Sequence, residues 1–189
     1  MTYAQITPPS VEPLTLAEAK AHMRLDAADE DALITALISV ARNCLEHVTG
    51  LCLMSQGRRL YLDGWPVNGI VRIAHGPVIS VDAVTVYDAD GTPEILSLDG
   101  QWLDGVSRPA RFWLPRQVAP GRAMNGIEVD FTAGFGETGA DVPDELKRAM
   151  LMHVALMFSY RGVVSASDQP AAMPEGYARL VAPYTRKGL

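Results

Sequence analysis

The order of hydrophobic and polar positions changes twice along the chain, and each change separates helical from extended structure. Between residues 29 and 50, apolar side chains recur at one-, three- and four-residue steps, which places them on one side of an α-helix. Asp29 is suited to cap the first free N–H groups, and Gly50 suits the left-handed residue after the end. The predicted apolar side comprises Leu33, Ile34, Leu37, Ile38, Ala41, Cys44, Leu45 and Val48. The pattern therefore predicts a helix over 29–48 whose apolar side is core and whose other side, with Arg42 and Glu46, is polar.

A shorter helix is predicted ahead of this one, over 15–25. Thr15 and Glu18 have the spacing of a capping box, and apolar residues follow at helical steps. Residues 1–14 contain three prolines, which disfavour regular structure. We therefore expect the N-terminus to be an extended arm.

From Gly57 the apolar period falls from 3.6 to 2, which is typical of strands with one buried face. Asp88-Ala-Asp-Gly91 predicts a hairpin turn, since Gly91 can adopt a positive φ angle. The strands are predicted around Leu60 and Leu62 and over 70–73, 81–87, 94–98, 111–114 and 126–132. The region 57–132 is thus predicted to form an antiparallel sheet, as a small sandwich or an open barrel.

Helix signals return at Pro143, which fits a first helical position. The predicted helix 143–161 is apolar nearly all round between Ala149 and Phe158, apart from His153. Such a helix needs cover on two sides, from helix 29–48 and from the sheet or a neighbouring subunit. Residues 162–189 read as a linker and a short tail, which Pro183 interrupts.

The fold class predicted from these elements is α+β. It consists of a helical bundle, with two N-terminal helices and one long C-terminal helix, an inserted antiparallel β-sheet lobe, and extended terminal arms. We expect one domain over 1–161, because 189 residues with 48% hydrophobic content suffice for one well-filled core.

Composition limits the compartment and the partners. The formal net charge of −6 disfavours general DNA binding, because phosphate backbones would repel the protein. No apolar run reaches eighteen residues and no signal-peptide pattern occurs, so we expect a cytoplasm-like compartment and no membrane partner. Cys44 and Cys52 fit neither a metal pair nor a disulfide framework, and are predicted to be small buried apolar residues.

Candidate chemistry is weak throughout the chain. Residues 134–139 match G-x-G-x-x-G, but the following helix begins four residues late and no strand follows it, so a connecting loop is favoured. The hairpin turn at 88–91 lacks the glutamate that would close a calcium loop. The four histidines, His22, His47, His75 and His153, have no ligand spacing. We predict no catalytic, cofactor or metal site, and no enzyme. Two alternatives stay open: a module that binds a small ligand, and a nucleotide-binding enzyme that uses the glycine loop.

Several local strings, in this order, resemble the head-tail connector (adaptor) proteins of long-tailed bacteriophages and of gene transfer agents. They are Glu12-Pro-Leu-Thr-Leu-Ala-Glu-Ala-Lys20, Asp29-Glu-Asp-Ala-Leu-Ile34 with Ala41-Arg42 and Thr49-Gly50, the Val84 to Gly91 strand and hairpin, Phe131-Thr-Ala-Gly-Phe-Gly136, and Val142-Pro143. The resemblance implies a homo-oligomeric ring beneath the portal protein, joined below to a downstream head-completion (stopper) or tail protein. It also implies a channel through which DNA passes without specific binding, and a location at the head-tail interface of a virion or phage-like particle assembled in the bacterial cytoplasm.

Two surfaces are predicted to make these contacts. The tail is basic and aromatic beyond Glu175, and the resemblance implies a docking role for terminal segments. Portal docking is therefore predicted for Tyr177, Arg179, Leu180, Tyr184, Arg186 and Lys187. Contacts between adjacent subunits are predicted for the helical residues Leu16, Met23, Arg24, Arg42, Glu46 and His153.

Overall fold

The computed structural model describes residues 2–160 and 173–185, which form two compact units. The β unit consists of residues 2–10 and 55–135, and the helical unit contains residues 11–54 together with the described residues after 135. The chain therefore starts in the β unit, passes through the helical unit, returns to the β unit and then re-enters the helical unit. The predicted α+β class, with an antiparallel β region inserted between helices, is confirmed.

The helices are α1 (Leu16–Met23), α2 (Asp31–Thr49), α3 (Asp144–Ser159) and α4 (Tyr177–Val181). The strands are β1 (Thr2–Thr7), β2 (Gln56–Leu62), β3 (Ile70–Ile73), β4 (Val78–Tyr87), β5 (Pro93–Ile95), β6 (Trp102–Asp104), β7 (Ala110–Trp113) and β8 (Ile127–Ala133). Two short 3-10 helices, Gly139–Asp141 and Ala182–Tyr184, flank α3 and α4.

The predicted capping box starts α1. The Glu18 N–H donates to Thr15 Oγ1 at 3.1 Å, and the Thr15 N–H donates to Glu18 Oε2 at 2.7 Å. The helix ends at Met23, two residues before the predicted end, because Arg24 adopts a left-handed conformation with φ 57°. The sequence therefore identified the start of α1 and overestimated its length.

Replacing Thr15 with alanine tests this cap. We expect Thr15→Ala to lower the free energy of unfolding by about 1 kcal/mol, the usual cost of losing a side-chain cap. Thr35→Ala, at an exposed position within α2, serves as the control and should change it by less than about 0.5 kcal/mol. Urea denaturation followed by circular dichroism measures both, and equal midpoints would contradict the role of the cap.

The predicted cap of α2 is wrong. The helix begins at Asp31, after a turn in which the Asp31 N–H donates to the carbonyl oxygen of Ala28 at 3.1 Å. Glu30 occupies the N-cap position and makes no side-chain cap hydrogen bond. At the other end Gly50 has φ 70° and its N–H donates to the Glu46 carbonyl oxygen at 2.8 Å, as predicted.

The buried side of α2 is rotated from the predicted one. Arg42 and Glu46, expected on the polar side, are buried, whereas Val48 is 50% exposed. Leu33, Leu37 and Cys44 are only half-buried. The chain segments 11–14 and 51–54 explain the rotation, because both pack along the Arg42 side of the helix and make hydrogen bonds to it. The buried residues of α2 are Ile34, Ile38, Ala41, Arg42, Leu45, Glu46 and Thr49.

The larger sheet of the β unit has five antiparallel strands in the order β1-β2-β8-β4-β5. Its central strand β8 buries Ile127, Val129, Phe131 and Ala133 on one face, and the residues between them are half-buried. This alternation confirms the prediction for residues 126–132. The hairpin at Asp88 is also confirmed, since it joins β4 to β5 and Gly91 has φ 86°.

The N-terminal segment is a strand, which corrects the prediction of an arm without regular structure. Residues 2–7 pair antiparallel with β2, from Thr2 opposite Tyr61 to Thr7 opposite Gly57. The prolines that suggested an arm all follow this strand. An edge strand leaves few sequence signals because only one of its sides is paired.

A second, three-stranded sheet has the order β3-β7-β6. Its inner face buries Val71, Ile73 and Phe112, each with 0% exposure. The prediction missed β6, and the antiparallel region, predicted as a small sandwich or an open barrel, consists of two sheets. Among the described loop contacts, the Val78 N–H donates to the carbonyl oxygen of Gly105 at 3.1 Å, which links the start of β4 to the turn after β6.

Helix α3 is the second long helix of the helical unit. Pro143 is its N-cap, with extended ψ 137°, and not its first residue as predicted. One side of the helix is fully buried and packs with α1, α2 and α4. The buried side comprises Leu146, Ala149, Met150, His153, Val154 and Met157, and the half-buried apolar positions are Leu151, Met152, Ala155, Leu156 and Phe158. The last residue of the predicted helix, 161, lies outside the described part of the chain.

Candidate interaction surfaces

A buried ion-pair network occupies the Arg42 side of α2. Arg42 Nε donates to Glu12 Oε2 at 2.7 Å, and Arg42 Nη1 lies 3.3 Å from Glu46 Oε2. Ser39 Oγ donates to Glu12 Oε1 at 2.7 Å, and the Leu53 N–H donates to Glu46 Oε1 at 2.7 Å. Arg42 is 8% exposed and Glu46 is 6% exposed. Both side chains, proposed from the sequence as subunit contacts, thus connect α2 to the two segments that cross it.

His153 is also buried inside the helical unit. Its side chain is 1% exposed, and its ring centroid lies 5.8 Å from the Tyr177 ring in an edge-on arrangement. The other three residues predicted at subunit contacts are more accessible, since Leu16 and Met23 are half-buried and Arg24 is exposed. The structure therefore divides the predicted set into three internal and three surface residues, and a subunit contact stays a prediction for each.

The described part of the tail packs on α3. Tyr177 is 3% exposed and Val181 is 1% exposed. Burial raises the pKa of the Tyr177 phenol to about 12. Tyr184 Oη donates to Glu145 Oε2 at 3.3 Å, which holds the second tyrosine against the start of α3.

The predicted docking residues accordingly differ in their exposure. Arg179 is exposed, Leu180 and Tyr184 are half-buried, and Tyr177 is buried. Arg186 and Lys187 lie outside the described residues, as does the predicted linker over 162–172. Of the described docking residues, Arg179 is the exposed one, and it also carries the charge.

The glycine loop is closed by its own carboxylate. The Thr138 N–H and Oγ1 both donate to Asp141 Oδ2 at 2.9 Å, and these hydrogen bonds lower the pKa of Asp141. The Asp141 carboxylate lies against the α-carbon of Gly136, so that even a Cβ there would collide with it. A phosphate approaching Gly136 would meet this negative charge. The geometry therefore favours a connecting loop over a nucleotide cradle.

Other classes of site have no support in residues 2–160 and 173–185. Within those ranges, no three histidine, cysteine, aspartate or glutamate side chains converge as a metal site would require. In the same part of the chain, no helix combines the length and apolar character needed to cross a membrane.

An exposed aromatic surface on the three-stranded sheet was not predicted. Trp102 on β6 lies opposite Trp113 on β7, which lies opposite Ile70 on β3. Trp102 is 75% exposed and Trp113 is 39% exposed. The sequence analysis missed it because β6, a three-residue strand, was not recognised. The signal that could have found it was a pair of tryptophans with no place in the predicted core.

Comparison with known proteins identifies the class of this fold. Residues 13–93 match a sequence family described as "Phage gp6-like head-tail connector protein". That range runs from before α1 to the start of β5, and so includes both N-terminal helices. Among curated proteins, no sequence matches the chain significantly.

Similar solved structures extend the match over the whole chain. A chain in the neck of an empty gene transfer agent (GTA) particle, computed with C6 symmetry, is 29% identical with a TM-score of 0.80. A chain in the virion of a native particle is 28% identical with a TM-score of 0.81, and one in a native neck computed with C12 symmetry is 27% identical with a TM-score of 0.78. Each alignment covers 100% of this chain and 98% of the other.

Three observations indicate the same class of protein, a structural protein of the head-tail junction. They are the inserted β unit, the match to a connector sequence family and the similarity to neck structures. The resemblance predicted from the sequence is thereby confirmed, and the predicted location at a head-tail interface has the same support. Over residues 13–93 the chain is similar to phage head-tail connector proteins, and over its full length to chains in the necks of gene transfer agents.

Proposed function

We propose that this chain is the subunit of a closed ring that joins a portal protein to a downstream head-completion (stopper) or tail protein. The observation that carries the proposal is the full-length similarity, with a TM-score of 0.80, to a chain in a GTA neck. The C6 and C12 symmetries of two such necks support a ring, since cyclic symmetry repeats one subunit around an axis. Within each subunit, helices α1, α2 and α3 would form the bundle.

The ring would surround a channel for DNA. Each subunit has a formal charge of −6, and a ring multiplies this charge around the axis. Phosphate backbones are bound mainly through basic side chains, so an acidic channel would hold DNA weakly and without sequence preference. Weak binding would allow the genome to pass through.

Electron microscopy of the purified protein, alone and mixed with its portal protein, tests this function. The expected result is a closed ring, either in the free protein or on the portal. The control is the same preparation of the Ile38→Asp variant, which should not form rings because its helical unit is destabilised. A wild-type protein that stays monomeric in both samples would overturn the proposal.

We also propose that the tail binds the portal, with Arg179 as its accessible basic residue. Truncation before residue 175 should abolish portal binding, but it also removes Tyr177 from its contact with His153. We therefore expect a cleaner result from Arg179→Glu, which reverses an exposed charge and should weaken portal binding by about tenfold, a typical cost of a charge reversal at an interface.

Arg116→Glu provides the matched control, because it makes the same charge change at another exposed arginine, in the β unit. Affinity for the immobilised portal should fall for Arg179→Glu and stay close to wild type for Arg116→Glu. Equal affinities in the two variants, with both proteins folded by circular dichroism, would overturn the docking role of Arg179.

A further inference from the structure

The outer face of the three-stranded sheet has two cross-strand rows, which we call the ladder. The apolar row is Ile70, Trp113 and Trp102, and the charged row is Arg72, Arg111 and Asp104. Residues two apart in a strand share a face, and paired residues share a row, so the strand register fixes this arrangement. A cleft of about 380 Å³ opens along the ladder and includes five of its six side chains.

Core packing does not explain why Trp102 and Trp113 lie on the outer face of this sheet. Phe112, next to Trp113 on β7 and on the opposite face of the sheet, is fully buried and already fills the core beneath the sheet. Trp102 is 75% exposed, although burial of such a side chain would be strongly favourable. Exposed aromatic clusters beside arginines are typical of the central residues of protein interfaces.

The charged row indicates the sign of the charge on the partner surface. Asp104 Oδ2 accepts hydrogen bonds from Arg111 Nη2 at 2.6 Å and from Ser107 Oγ at 2.7 Å. Hydrogen bonds from Ser107, followed by that from Arg111, lower the pKa of Asp104 to about 2, so it stays ionised at neutral pH. Arg72 is exposed and forms no ion pair with any residue of the described ranges. The available charge on the ladder is therefore positive, and it favours an acidic partner surface.

A second copy of this chain has the required chemistry. The chain is acidic as a whole, with 22 acidic and 16 basic side chains. The hairpin over 88–95 combines the exposed carboxylate of Asp90 with Ile95, an apolar side chain that is 74% exposed, while the Glu94 carboxylate beside them pairs with Arg116 at 3.1 Å. Since a ring is built from heterologous contacts, one face of each subunit must fit a different surface of the next.

We propose that the ladder is a contact surface between adjacent subunits and that its occupant is the next copy of this chain. This inference rests on the proposed ring, which the cyclic symmetry of the similar necks supports. The tryptophans would supply the apolar centre of the contact, and Arg72 would meet a carboxylate of the neighbour. Two identical ladders do not meet in such a ring, because its contacts are heterologous and join two different surfaces.

The first experiment measures ring formation by mass photometry over a dilution series of the purified full-length chain. Trp102→Ala should raise the concentration at which half of the rings dissociate at least tenfold. Met124→Ala is the matched control, since Met124 has the same 75% exposure in a loop of the β unit. Thermal unfolding should be unchanged in both variants, because neither side chain is core.

The second experiment identifies the occupant. Trp102 is replaced by p-benzoylphenylalanine, an aromatic photo-crosslinker, and the rings are irradiated with and without portal protein. The expected product has twice the subunit mass, and mass spectrometry should assign both halves to this chain. Crosslinks to the portal alone, or rings without a crosslink, would overturn the proposal.

Failure of the ladder contact and failure of the proposed ring give different results. Rings that resist dilution equally well with Trp102→Ala and wild type would overturn the ladder contact and leave the proposed ring intact. A wild-type chain that forms no ring, alone or on the portal, would overturn both the ring and this contact.

Discussion

Replacing Ile38 with aspartate is expected to unfold the helical unit. Ile38 is 2% exposed at the centre of the buried side of α2. The substitution removes an apolar side chain from the core and places there a carboxylate without a partner, at a cost of about 4 kcal/mol or more. Domains are stable by only about 5–15 kcal/mol, so most of the native population would be lost. Urea denaturation and the helical signal in circular dichroism measure the effect.

Val40→Asp is the matched control on the same helix, because Val40 is 44% exposed. It should change the free energy of unfolding by less than about 0.5 kcal/mol, as is usual for surface substitutions. Leu37→Asp should lie between the two, since the structure leaves Leu37 half-buried. A soluble, cooperatively unfolding Ile38→Asp protein with wild-type stability would contradict the assignment of this side of α2 to the core.

Arg42→Ala should lower the free energy of unfolding nearly as much as Ile38→Asp. The guanidinium lies between Glu12 and Glu46, and the Glu46 side chain is only 7% exposed. Its removal leaves a buried carboxylate without its cation, which costs about 3–5 kcal/mol in comparable buried pairs. The free energy of unfolding, from urea titration at neutral pH, is the quantity to compare.

The exposed pair between Arg116 and Glu94 provides the control. Its nitrogen and oxygen are 3.1 Å apart, but the side chains are 70% and 49% exposed. Arg116→Ala should therefore cost at most about 1 kcal/mol. Replacing Arg42 by methionine and Glu46 by glutamine together should recover much of the loss, because the glutamine can still accept from the Leu53 N–H and the carboxylate that remains, that of Glu12, is 27% exposed. If the double variant is no more stable than Arg42→Ala, the loss of stability does not come from the buried Glu46 carboxylate without its cation.

The sequence predicted those elements whose pattern is long or whose ends have side-chain signals. The 3.6-residue period found α2, the start signal at Pro143 with the apolar run after it found α3, and the capping box placed the start of α1 at the correct residue. The alternation of Ile127, Val129 and Phe131 likewise identified β8 and its buried face. In each case the local signal and the tertiary packing agree, so no information from distant residues was required.

The errors arise where a distant segment decides the outcome. Periodicity placed Arg42 on the polar side of α2, but Glu12, thirty residues earlier, reaches it and makes its burial possible. The strands β1 and β6 are short edge strands, and their pairing depends on β2 and β7. The ladder was missed for the same reason, because Trp102 and Trp113 become neighbours only when β6 pairs with β7.

The order of strands in the larger sheet has a consequence for how the protein is made. Strand β1 pairs only with β2, and β2 is flanked on its other side by β8. The contact between Arg59 and Asp130 spans 71 residues. Contacts so distant in sequence form slowly, and here they wait until β8 has been synthesised. A chain that ends before β8 therefore lacks the strand that joins β2 to β4, and its larger sheet cannot be completed.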